Sequence, residues 1–149
     1  MNISLYTLVC PNGSQTERPT VAQLEVTFSS ALPTFWLTGS FDAGLYHGPT
    51  VGRVGLIFMP DVVAMSFVIA FTDEAGEVVL SRDGNGTGNA GTVTIQPGGQ
   101  AFSVPLKWAV DPQVALDAAR AFLEEPRRPE IPGHHWDARW RYHPKGEDA

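Results

Sequence analysis

The sequence predicts an α+β domain, built as an antiparallel sheet of about six to eight strands with two main helices. Three observations carry this. From residue 34 to residue 104, short segments of period two follow one another through connections of hairpin length. Residues 111–125 have the period of an amphipathic helix, with Asp111 and Pro112 at its start and Pro126 at its stop. The chain is 149 residues long with 43% hydrophobic and 17% charged side chains, enough apolar surface for one packed core and too little charge for disorder. Residues 1–149 therefore read as a single domain, with 127–149 as a proline-rich connector and a terminal strand.

Taken in order, residues 3–9 alternate as a strand, and Pro11, Asn12 and Gly13 break it. Residues 21–32 fit both periods: Leu24, Val26 and Phe28 alternate, yet Val21, Leu24, Phe28 and Leu32 fall at helical spacing. A capping-box pattern of Thr20 and Gln23, with Pro33 as a stop, favours the helix. Strands are then expected at 34–41, 52–59, 62–72, 77–82, 91–96 and 100–104. The links 73–76 and 97–99 are short and rich in turn residues, so their neighbours should pair antiparallel as a meander. Met65, Phe67, Ile69 and Phe71 share one face of their strand, and Ala64, Val68 and Ala70 the other, so this strand should be central and covered on both sides.

In the helix at 111–125, Ala115, Ala118, Ala119 and Phe122 form a stripe flanked by Leu116 and Leu123, opposite Gln113, Asp117, Arg120 and Glu124. Beyond it, Trp136, Ala138, Trp140 and Tyr142 alternate with Asp137, Arg139, Arg141 and His143, as an edge strand would. That alternation separates aromatics from arginines, which argues for an apolar face on the core rather than a stacking surface for single-stranded nucleic acid.

The net charge of -6 opposes binding to a phosphate backbone, so no direct nucleic-acid contact is expected. The single cysteine, Cys10, supports neither an internal disulfide nor a cysteine-based metal site, and a cytoplasmic location fits best. No apolar run approaches the roughly 20 residues that span a bilayer, so no membrane partner is expected.

The motifs of chemistry each fail on context. Residues 86–91 read GxGxxG, but a strand follows where a dinucleotide site needs a helix terminus. Asp83, Asn85 and Thr87 have calcium-loop spacing, but Thr94 stands where the loop needs a glutamate. His134 and His135 are adjacent and would point to opposite faces of a strand, away from a shared metal. There is no GxSxG turn, and Cys10 sits in an apolar strand. The expectation is a protein that is not an enzyme, with no catalytic residue, no cofactor and no metal.

Charge is more informative. Residues 1–126 carry a net charge of -7, with Asp61, Asp73, Glu74, Glu77 and Asp83 at strand ends. Antiparallel pairing of 62–72 with 77–82 should gather Asp73, Glu74 and Glu77 at one end of the sheet, and Asp61 with Asp83 at the other. Such poles suit a basic protein partner.

The run Ser103-Val104-Pro105, the helix from Val114 to Glu124, then Arg128-Pro129 and Trp136, resembles the closing segment of the first immunity protein family of bacterial polymorphic toxin systems. Arg18-Pro19-Thr20 is similar to that family's opening. The resemblance touches about 60 residues. It implies a small cytoplasmic α+β protein that binds and blocks a cognate toxin, often a nucleic-acid deaminase. For such a partner the charge pattern points to Asp73, Glu74 and Glu77, held on a short turn, in preference to Asp61 and Asp83 as toxin-binding residues. The alternative is a non-catalytic carrier of a small molecule or peptide, with an apolar pocket between sheet and helix.

Overall fold

The computed structural model describes residues 6–30, 36, 39–48, 53–61, 66–83 and 91–138. They form the expected α+β domain. The strands are β1 (Tyr6–Val9), β2 (Gln15–Glu17), β3 (Ala43–His47), β4 (Val54–Pro60), β5 (Phe67–Asp73), β6 (Gly76–Arg82), β7 (Thr92–Ile95), β8 (Phe102–Pro105), β9 (Ala109–Val110) and β10 (His134–Asp137), with helices α1 (Val21–Ser30) and α2 (Pro112–Glu124). The main sheet runs β10-β6-β5-β4-β3-β1-β2, and β9 pairs with β5. All its pairings are antiparallel.

Both helices start as their capping signals require; Pro33, the expected stop of the first, lies outside the described residues. At α1, the Thr20 backbone N–H donates to Gln23 Oε1 at 2.7 Å, and the Gln23 N–H donates to Thr20 Oγ1 at 3.2 Å, so each residue satisfies a donor that the first turn leaves open. At α2, Asp111 Oδ1 accepts the Val114 N–H at 3.0 Å. Ala115, Leu116, Ala118, Ala119 and Phe122 are buried, and Gln113, Asp117, Arg120 and Glu124 are exposed. Among the described residues, no helix is long and apolar enough to cross a membrane.

The helices pack on one face of the sheet. Leu24 and Phe28 of α1 and Phe122 of α2 join Leu45, Leu56, Phe58, Phe67, Ile69 and Leu80 in one core. Its centre is aromatic: Phe28 lies 4.8 Å from Phe58 and 5.6 Å from Phe67, ring centre to ring centre, while Trp36 lies 4.7 Å from Phe67. The opposite face of β4, β5 and β6 presents Met59, Val68, Ala70 and Val79 to a second core completed by Ile95, Val104 and Trp108. Strand β5 is therefore covered on both sides, as its run of apolar residues requires.

The structure corrects the expected elements in four places. Of the strand expected at 34–41, Trp36 is helical and residues 39–41 turn, with Gly39 at φ +57° and Phe41 at φ +58°. Left-handed backbone cannot continue a ladder, and the strand forms later, as β3. Strand β2 was not expected; it folds back on β1 through a turn in which the Gly13 N–H donates to the Cys10 carbonyl at 2.9 Å. Strands β7 and β8 pair as expected but stand as a separate two-stranded sheet instead of extending the meander. Finally, β9 pairs with Phe67 and Val68, while β6 pairs with β5 only from Ala70 to Asp73, so the two long strands part around it.

Candidate functional site: the acidic turn and the adjoining cleft

Strands β5 and β6 are joined by Glu74 and Ala75 alone, with Asp73 opposite Gly76 and Thr72 opposite Glu77. Asp73 Oδ1 accepts the Ala75 N–H at 2.9 Å, which ties the carboxylate into the turn. Gly76 stands at φ +134°, a backbone region that a side chain would strain. Asp73, Glu74 and Glu77 are thus brought together at one end of the sheet, the first two exposed and Glu77 half-buried. Alternation along the strands puts Asp73 on the helix side of the sheet and Glu77 on the other.

The second pole does not form. Asp61 is buried, its backbone N–H donating to the Ser66 carbonyl at 2.7 Å, and it bridges to Ile95 of the separate hairpin. Asp83 is exposed at the end of β6, where His135 Nδ1 of β10 lies 2.6 Å from its Oδ1. Strands β5 and β9 lie between the ends of β4 and β6, which explains why Asp61 and Asp83 do not converge. Of the glycine-rich segment at 84–91, only Gly91 lies within the described residues; it leads into strand β7. Asn85 and Thr87 of the calcium-type spacing lie outside them.

On the helix side of the acidic turn, a cleft of about 820 Å³ opens between β5–β6 and the segment that follows α2. Phe71, Val78 and Trp136 give it an apolar lining, Asp73 stands at its turn end, and Arg127, Arg128 and Glu130 line it from the connector, while the Glu77 side chain points to the opposite face of the sheet. The Trp136 indole is fixed: its Nε1–H donates to the Pro129 carbonyl at 2.7 Å, and its ring meets Phe71 edge-on at 6.1 Å. Arg127 Nε also pairs with Glu125 at 3.0 Å, an exposed contact. Composition alone could not place Arg127 and Arg128 here; the available signal was Pro126 and Pro129, a stiff connector that turns the chain back across the end of the sheet.

A further polar group lies on the other face of the sheet. The ring of Tyr46 lies over the backbone of Gly44 and Gly55, where an added Cβ would stand 2.3 Å and 2.5 Å from ring carbons. The Arg53 guanidinium carbon sits 4.0 Å from the centre of that ring. Burial raises the Tyr46 hydroxyl pKa; the Arg53 charge lowers it, and Asp42 and Glu77 raise it further. Burial likewise raises the Asp42 carboxyl above its ordinary value, partly offset by hydrogen bonds from Ser40 and the Gly98 backbone. The pairing of small residues with one aromatic across β3 and β4 was the sequence signal for this patch.

Among the described residues, no group of three or more His, Cys, Asp or Glu is placed to hold a metal ion. The arrangement offers fixed charge, an aromatic floor and an open cleft, which is chemistry of recognition. The chain matches no family model, and no curated protein is significantly similar to it.

Proposed function

We propose that this protein is a non-catalytic immunity protein that binds and occludes a cognate bacterial toxin, of the nucleic-acid deaminase type. The observation that carries the reading is the β5–β6 turn, which presents Asp73 and Glu74 to solvent on a hydrogen-bonded two-residue link rooted in the doubly covered strand. A toxin that grips nucleic acid presents a basic cleft, and carboxylates held in advance fill such a cleft at little ordering cost. The segment resemblance to the first immunity family supports the same reading.

The test is to search the neighbourhood of the protein's gene for a toxin domain and to co-express the two. Replacing Glu74 and Glu77 together by lysine should slow association about tenfold or more at low salt, with the gap closing as salt rises, because steering by surface charge is screened. Cells carrying the toxin should lose protection, while the melting temperature shows the variant still folded. Full protection with an unchanged association rate would refute the acidic turn as the contact.

The carrier alternative has one observation in its favour, the cleft beside the turn. Its location differs from the apolar pocket expected between sheet and helices, a space filled by Phe28, Trp36, Phe58, Phe67 and Phe122.

A further inference from the structure

Strand β2 stands at the end of the main sheet, and the phase of its hydrogen bonds leaves half of its backbone unpaired. The Cys10 N–H donates to the Ser14 carbonyl at 2.9 Å, and the Arg18 N–H donates to the Tyr6 carbonyl at 2.9 Å. Thr16 lies opposite Leu8 between them, so Ser14, Thr16 and Arg18 turn their backbone groups toward β1, and the alternation of an antiparallel pair turns those of Gln15 and Glu17 outward. No described strand lies beyond them. Two donors and two acceptors therefore face outward along this edge, a template for a further strand.

A groove runs beside the edge. On the helix side of the sheet, Leu8, Cys10 and Thr16 meet Ala22, Val26 and Thr27 around an open volume of about 380 Å³. Among the described residues, the large hydrophobic side chains left exposed are Val21 at 39% and Val26 at 65%, both on α1, and Val26 lines this groove. In a strand added to β2, the residue opposite Thr16 points to the groove, and the residue opposite Glu17 points to the other face of the sheet. There the Glu17 carboxylate is exposed and makes no ion pair among the described residues. A second copy of this chain fits poorly. Any antiparallel register that joins the outward groups puts Ser14, Thr16 or Arg18 opposite Thr16, none of them apolar, and brings together two bodies of net charge -6.

We propose that the β2 edge receives an extended segment of a partner protein as an added antiparallel strand, with an aliphatic side chain in the groove opposite Thr16 and a lysine or arginine beside Glu17. Main-chain bonds to Gln15 and Glu17 hold the segment, and the two side chains select it. Strands β4, β3 and β1 separate this edge from the acidic turn, so the inference is independent of whether that turn meets a toxin.

The experiment follows backbone amide hydrogen exchange in the whole chain by NMR, with the capped peptide TTKLTTT as the probe. In the proposed register its lysine stands opposite Glu17 and its leucine opposite Thr16. Binding should slow exchange about tenfold or more at Gln15 and Glu17, the amides that the free edge leaves unpaired. N-methylation of the peptide's lysine, whose N–H faces β2, should abolish binding, whereas N-methylation of its leucine, whose N–H faces away, should preserve it. V26D should weaken the peptide about tenfold, and E17K about fivefold at low salt with the deficit shrinking as salt rises. Both side chains are exposed, so the melting temperature should stay unchanged in each variant. No slowing at Gln15 and Glu17 with millimolar peptide, or equal binding of the two N-methylated peptides, overturns the proposal. Protection of the same amides that rises with protein concentration alone, together with a dimer mass, assigns the edge to a second copy and overturns it as well.

Discussion

Trp136 ties the edge strand β10 to the rest of the molecule, and its truncation to alanine should be felt well beyond that strand. Removing a fully buried tryptophan costs about 3–5 kcal/mol. Trp136 is only half-buried, so the transfer contribution falls to about 2 kcal/mol. Losing the hydrogen bond to the Pro129 carbonyl adds about 1 kcal/mol, and losing the edge contact with Phe71 about 0.5 kcal/mol more. The total is about 3.5 kcal/mol, which for a domain of this size lowers the melting temperature by about 10 °C. Trp136→Phe keeps a ring on Phe71 and loses only the donor, so about 3 °C is expected. Scanning calorimetry at fixed pH and salt decides between them. An unchanged melting temperature for Trp136→Ala would show that the ring adds nothing to the fold, and the account of β10 as a packed edge strand would fail.

Asp111→Ala removes the acceptor for the Val114 N–H and should cost about 1 kcal/mol in urea denaturation, with an unchanged dependence on denaturant. At Gly39, an added Cβ would stand 2.0 Å from the Pro11 carbonyl oxygen on left-handed backbone, so Gly39→Ala should destabilise by about 2 kcal/mol or more on the same assay. The raised carboxyl pKa of Asp42 means that the folded state holds this proton more readily than the unfolded one. Its ionisation therefore lowers stability as pH rises from the ordinary aspartate value through the raised one, and the cost is complete above that window. Asp42→Asn should raise the melting temperature at neutral pH and leave it unchanged near pH 3, a difference readable from melts across an acid series.

Helix α2 was legible because its signals are local: a capping aspartate, a proline in the first turn, a stripe of alanines and a terminal proline. Helix α1 was legible for the same reason once Thr20 and Gln23 were allowed to arbitrate between two periods. Strand β3 was misplaced because the run from Thr34 to Phe41 is rich in the aromatic and β-branched residues that favour strands, while the turn through Gly39 is held by the distant Pro11 carbonyl, which no local pattern reveals. The two residues of β9 are a strand only because β6 leaves the edge of β5 free. At the candidate site, Asp73, Glu74 and Glu77 were foreseeable from the length of one hairpin. Asp61 was not, since its burial depends on Ser66 and on the separate hairpin reaching it through Ile95. Arg127 and Arg128 share the cleft with Asp73 because a connector folds across the end of the sheet, a tertiary event with no periodic trace.

The double cover of β5 also sets an order in which the molecule comes apart. Phe67 to Phe71 are buried on both faces and paired with β4 on one side and with β9 and β6 on the other. Their amides can reach water only when a whole layer lifts, whereas the three residues of β2 and the outer edge of β10 are released by local fraying. The acidic turn stands at the end of the slowest-opening pair, so anything that pulls on it works against the global stability of the domain rather than against the stiffness of a loop.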